Sequence, residues 1–128
     1  LGEGSFERVG GWSDARSDIR GVISAAGPYE LNTLSWGDLW TPVGGDVHAA
    51  RRLASPIHQI TENTKPILII HSDDDQSVPI QQAVQMADTL KAKNVRHEFV
   101  HYVDRGHMAI TDEVITETRD FIKAIGGT

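Results

Sequence analysis

Lys65-Pro66-Ile67-Leu68-Ile69-Ile70-His71 is an almost purely aliphatic run that stops abruptly in Ser72-Asp73-Asp74-Asp75. An aliphatic run of this length, opened by Lys-Pro and ended abruptly by acidic residues, reads as a strand. Downstream, Pro79 suits the first turn of a helix whose Ile80, Ala83, Val84, Ala87 and Leu90 are spaced as one apolar stripe, with Asn94 ending it. His97 to Val103 reads as another strand and Asp104-Arg105-Gly106-His107 as the loop leaving it. A last helix begins at Thr111-Asp112-Glu113, is striped by Val114, Ile115, Thr118, Phe121, Ile122 and Ile125, and ends in Gly126-Gly127.

Upstream of the aliphatic run, Ile19 to Ala26 is a second apolar stretch, closed by Gly27-Pro28 and expected as a strand buried on both faces. Tyr29 to Gly45 is loop-like, and a short helix follows, capped by Asp46 and stopped by Ser55-Pro56. Residues 1–18, rich in Gly, Ser and charge, read as an irregular connection. The order over residues 19–128 is therefore β-α-β-α-β-α within a single segment. That order predicts an α/β fold: a three-layer α/β/α parallel sheet with right-handed crossovers, reactive groups collecting at the carboxyl ends of its strands.

Composition agrees with one ordinary domain. The chain has 128 residues, 39% hydrophobic and 23% charged, and its net charge of −6 disfavours a nucleic-acid or acidic-membrane footprint. The absence of Cys removes disulfide scaffolds, thiolate metal sites and cysteine nucleophiles together. No apolar run approaches the roughly 20 residues of a membrane helix, so a soluble chain is expected. The first residue is Leu1 and not Met, which reads as a fragment or a processed product.

Two of the carboxyl-end loops hold residues of catalytic type, namely Asp73, Asp74 and Asp75 after one strand and His107 after the next. A histidine that takes and returns a proton needs its other ring nitrogen held by a carboxylate, which fixes the tautomer and stabilises the imidazolium. Aspartates after a strand also serve plain turns, because Asp bonds its own downstream backbone.

The words around these residues add to their spacing. His71-Ser72-Asp73-Asp74-Asp75-Gln76-Ser77-Val78-Pro79 resembles the acid loop of α/β-hydrolase-fold enzymes, usually His-Gly-x-x-Asp-x-x-Val-Pro, with Ser72 where Gly is usual. Tyr102-Val103-Asp104-Arg105-Gly106-His107 looks like that family's final strand and its Gly-His turn. Gly10-Gly11-Trp12-Ser13, Gly27-Pro28-Tyr29 and Ala54-Ser55-Pro56-Ile57 are similar to stretches of the branch with bacterial lipase/esterases and acetyl-xylan and feruloyl-esterase-like proteins. Dienelactone hydrolases and prolyl-oligopeptidase-type peptidases are more distant members. The resemblance implies a serine esterase or lipase in which Asp75 is the acid and His107 the base of a Ser-His-Asp triad, with an ester as the small-molecule substrate and no cofactor or metal.

The family's nucleophile sits in a Gly-x-Ser-x-Gly elbow between a strand and a helix, and no such pentapeptide occurs here. The nearest candidate, Gly11-Trp12-Ser13-Asp14-Ala15, leaves too few residues before Ile19 for the helix that follows an elbow. Ser24 lies inside a strand and Ser5 follows none. The chain thus resembles the C-terminal half of such an enzyme, and losing the nucleophile costs on the order of 10⁶ in rate, so the isolated chain is expected to be inactive. Truncation there also exposes an edge of the Ile19–Ala26 strand, which a second copy or a companion N-terminal half is expected to cover.

Trp36 and Trp40 lie where related enzymes carry substrate-covering loops and are candidates to line an acyl or aromatic pocket. His97 and His101 share a strand face with Phe99, yet no spacing suggests a third ligand, so no metal site is expected. Two other classes fit less of the sequence: a phosphoacceptor receiver domain, whose acidic pocket binds Mg²⁺, and a non-catalytic binding or assembly module.

Overall fold

The computed structural model describes residues 18–36 and 45–126. Three strands form one sheet in the order β1-β2-β3, with β1 at Val22–Ala25, β2 at Ile67–Ser72 and β3 at His97–Tyr102. Both pairings are parallel, and the register sets Ile67 between Val22 and His97 and Ile70 between Ala25 and Val100. Between the strands run α1 at Val47–Ala54, α2 at Ile80–Ala92 and, after β3, α3 at Asp112–Ala124. Short 3₁₀ turns at Leu31–Thr33 and Pro56–Gln59 punctuate the long connection from β1 to β2.

The central strand sorts its side chains with period two. Ile67 and Ile69 face Ala83, Met86 and Leu90 of α2, whereas Leu68 and Ile70 face Val114 and Phe121 of α3. A helix therefore covers each face, giving three layers. All four aliphatic residues are essentially without exposure, and burying each fully contributes about 1.5–3 kcal/mol. Asp46 caps α1 by accepting from the His48 and Ala49 amides, and Thr111 caps α3 by accepting from that of Val114.

Three expectations change. The strand expected over Ile19–Ala26 is shorter, and it is half-exposed and not buried on both faces: Ile23 is 39% exposed. The reason is position, since among the described residues β1 pairs with β2 alone. In α2 the buried stripe is Gln82, Ala83, Met86 and Leu90, with Val84 turned to solvent. Gln82 earns its place with polar bonds, accepting from the Tyr29 and Glu30 amides and donating to Glu30 O and Thr33 Oγ1. In α3, Ile115 and Ile122 are likewise exposed. The expected connection over residues 1–18 lies outside the described residues except for Asp18.

Candidate active site

Because β2 and β3 are parallel and in register from Ile67↔His97 to Ser72↔Tyr102, the loops leaving them emerge side by side. The first is closed by Asp75, whose Oδ1 accepts from the Ser77 amide at 2.8 Å and the Val78 amide at 2.9 Å. Val78, only 2% exposed, anchors the far end of that loop in the core. The second loop reverses through Asp104 at φ 56° and Gly106 at φ 60°. Asp is among the few side-chain-bearing residues that visit this left-handed region readily, and Gly does so freely. The reversal turns His107 back toward the first loop.

There the His107 imidazole donates from Nδ1 to Asp75 Oδ2 at 2.9 Å. The Asp75 side chain is fully buried and that of His107 is 53% exposed. Burial disfavours the charged form of Asp75, but the Val78 amide, the His107 ring and the Ser77 amide outweigh it and hold the carboxyl below the usual carboxylate range. A buried, ionised carboxylate thus grips one nitrogen of a half-exposed imidazole. With Nδ1 donating to the carboxylate, Nε2 is the nitrogen through which the neutral ring can accept a proton.

Three neighbours surround this pair in roles that the sequence did not assign to them. His71, fully buried, donates from Nε2 to Val78 O at 2.7 Å and lies 3.4 Å from Asp75 Oδ2. Since a carbonyl only accepts, Nε2 carries the proton, and Nδ1 is buried without a hydrogen-bond partner among the described residues. Asp74 turns toward the histidine loop, where its Oδ1 accepts from the Gly106 amide at 2.9 Å. Its carboxyl is held below the ordinary range by the bond from Ser72 and then by that from Gly106. Arg105 lies over the Tyr102 ring, 5.7 Å from its centroid, and pairs with Glu113 of α3 at 3.0 Å. The sequence signal for His71 is a titratable residue at the end of an otherwise aliphatic strand; Asp74 stood in the sequence as one of three acidic candidates, with nothing to mark it as a partner of the histidine loop.

Trp36 is 44% exposed, and its indole donates to Ser77 O at 2.9 Å, which ties it to the acid loop. The Arg51 guanidinium bonds the carbonyls of Leu31, Leu34 and Trp36 and so shapes the segment that carries the indole. Trp40, Ser5 and Ser13 lie outside the described residues. Ser24 accepts from the Tyr29 hydroxyl at 2.6 Å. His101 stacks on Phe99, with centroids 6.0 Å apart, and His97 Nδ1 donates to Val95 O. Among the described residues no group of three or more His, Asp or Glu is placed to hold a metal ion. The carboxylates of Asp74 and Asp75 are engaged with hydrogen-bond donors, unlike the open acidic pocket of a receiver domain.

Comparison with known proteins agrees with this architecture. A truncated carbohydrate esterase from gut microbiota superposes with a TM-score of 0.75 at 22% identity, over 93% of this chain and 47% of its own. An esterase from the planctomycete Thermogutta terrifontis gives 0.64 at 19% identity, over 84% of this chain and 43% of its own. The carboxylesterase Cest-2923 of Lactobacillus plantarum WCFS1 gives 0.62 at 12% identity, over 86% and 45%. The chain thus spans a little under half the length of these solved structures, and the likeness is one of fold. No curated protein matches the sequence. The family model described as the prolyl oligopeptidase family matches residues 13–124. By that match over most of its length, and with the three-stranded parallel sheet of a partial α/β-hydrolase fold, the chain belongs to the prolyl oligopeptidase family.

Proposed function

We propose that the chain is the C-terminal portion of a serine carboxylic-ester hydrolase, a single unit over residues 1–128 that supplies the acid, Asp75, and the base, His107, of a Ser-His-Asp triad. The observation that carries this reading is the 2.9 Å bond from His107 Nδ1 to the buried Asp75 carboxylate. The nucleophilic serine comes from polypeptide outside these residues, because the sequence contains no Gly-x-Ser-x-Gly elbow. His107 Nε2 takes the serine proton as the hydroxyl attacks the ester carbonyl, then returns it to the departing alcohol. A water activated by the same nitrogen attacks the acyl-enzyme, releases the carboxylic acid and restores the serine. Asp75 keeps its charge throughout and stabilises the imidazolium.

Esterases among the structural neighbours support an ester as substrate. The half-exposed Trp36, held on the acid loop, offers an apolar wall to one side of it, and Trp40 is assigned the same role from its place in the sequence. The side of β1 that is unpaired among the described residues, where Ile23 is half-exposed, is covered in this reading by the polypeptide that brings the serine or by a second copy of the chain.

A fluorophosphonate probe, which forms a covalent bond with activated serines, tests the assignment. The isolated chain is expected to take no label. The polypeptide translated from the native gene is expected to take one, on a serine outside residues 1–128, and to lose it when His107 is changed to Ala. Labelling of a serine within the chain overturns the external nucleophile. Labelling indifferent to His107 overturns the triad.

A further inference from the structure

The two loops that carry Asp75 and His107 are joined by a second set of bonds one residue upstream of each. Asp74 Oδ1 accepts from Ser72 Oγ at 2.6 Å, from the Arg105 amide at 3.1 Å and from the Gly106 amide at 2.9 Å. Ser72 Oγ, on a residue with no exposure, accepts in turn from the same Arg105 amide at 3.0 Å. Ser72 is the position at which the acid-loop motif usually has Gly, so this chain adds a hydroxyl where that motif has no side chain. From these contacts we infer that Asp74, oriented by Ser72, is a positioning residue that holds the Arg105-Gly106 backbone and thereby sets the approach of His107 to Asp75.

Physical chemistry favours the assignment. Bonds from backbone amides to a carboxylate are charge-assisted, and the amide side of each has no rotamers to lose. The pairs Asp74–Gly106 and Asp75–His107 are adjacent along both loops, so together they remove the hinge freedom that a single contact leaves. Gly106 needs such restraint, since at φ 60° it has no side chain to hold it and, among the described residues, nothing lies within 4 Å of where a Cβ would stand. Arg105 anchors the same loop from the other side through Glu113 and Tyr102, leaving the backbone to Asp74 and Ser72.

The inference rests on the triad reading for its purpose, but its test requires neither a nucleophile nor an ester. Nitrogen-15 NMR of the histidine rings of the 128-residue chain, in mildly alkaline buffer, reads the His107 tautomer, and amide exchange reads the loop. The unaltered chain is expected to hold His107 as the Nδ1–H tautomer. Asp74→Ala is expected to mix in the Nε2–H tautomer and to speed exchange of the Gly106 amide roughly tenfold or more, as loss of a charge-assisted bond implies. Strand amide shifts stay in place. Asp74→Asn keeps an acceptor oxygen and is expected to preserve the tautomer, a rescue that a mere charge effect would not give. Should Asp74→Ala fail to fold, Ser72→Gly decides, with a smaller acceleration at Arg105 expected. An unchanged tautomer and unchanged exchange in Asp74→Ala, no acceleration at Arg105 in Ser72→Gly, or an Asn variant as disturbed as the Ala one overturns the inference. Failure of the serine label in the native polypeptide instead overturns the triad and leaves these readouts standing.

Discussion

Asp75 and His107 are 32 residues apart in the chain, yet Asp75 Oδ2 accepts from His107 Nδ1 at 2.9 Å across two neighbouring loops. In the native polypeptide, Asp75→Asn is expected to lower kcat on a short-chain aryl ester about 10⁴-fold, because the amide favours the wrong imidazole tautomer. His107→Ala is expected to cost on the order of 10⁶, with the double variant no worse than the worse single one, since the groups act as a unit. Steady-state kinetics check this; additive losses contradict it.

The Asp75 carboxyl is held below its ordinary range, so its contribution to stability has a definite pH signature. A depressed folded-state value means that the unfolded chain binds the proton first. The contribution is present in full above the unfolded value of about 3.9 and disappears as pH falls from there through the lower folded value. Urea unfolding over the acid range is expected to show stability falling below pH about 4, with a shallower fall in Asp75→Asn once both are set to the same reference at neutral pH. Equal slopes count against the buried, ionised carboxylate.

Phe121 is 1% exposed and fills the α3 side of the core beside Leu68 and Ile70. Phe121→Ala is expected to destabilise by about 3–5 kcal/mol, the transfer and cavity cost of a buried aromatic. Val84, which sequence periodicity groups with the buried stripe of α2, is 43% exposed, and Val84→Ala is expected to fall within about 0.5 kcal/mol of the original. Denaturant midpoints at constant slope discriminate the two.

The β1 edge carries a half-exposed Ile23 beside Ile19 and Ile122, all near 40% exposed. Sedimentation of the isolated chain at micromolar concentration is expected to show association, and Ile23→Lys, which sets a charge on that edge strand, is expected to shift it toward monomer. A compact, stable monomer of the unaltered chain contradicts the claim that β1 requires a cover.

The order of strands and helices was legible because the aliphatic run at Ile67 to Ile70 and the helical stripes are local patterns, each set by the period of its own element. The Asp75 and His107 candidates were legible for the same reason, as words of sequence at strand ends. An exposed edge at Ile19 to Ala26 was already expected from the missing elbow, but the half-exposure of Ile23 was not legible, because the stretch reads as apolar whether a neighbour sits beside it or not; the place of β1 at the end of the sheet among the described residues decided it. Nor was Val84 legible as exposed, since the buried side of α2 depends on Ile67 and Ile69 below it and on the Tyr29–Thr33 segment that Gln82 bonds. The clamp at Asp74 was furthest out of reach. Its partners are backbone amides 31 and 32 residues away, and a main-chain N–H carries no signature in the sequence. Only the parallel register of β2 on β3 brings them within bonding distance.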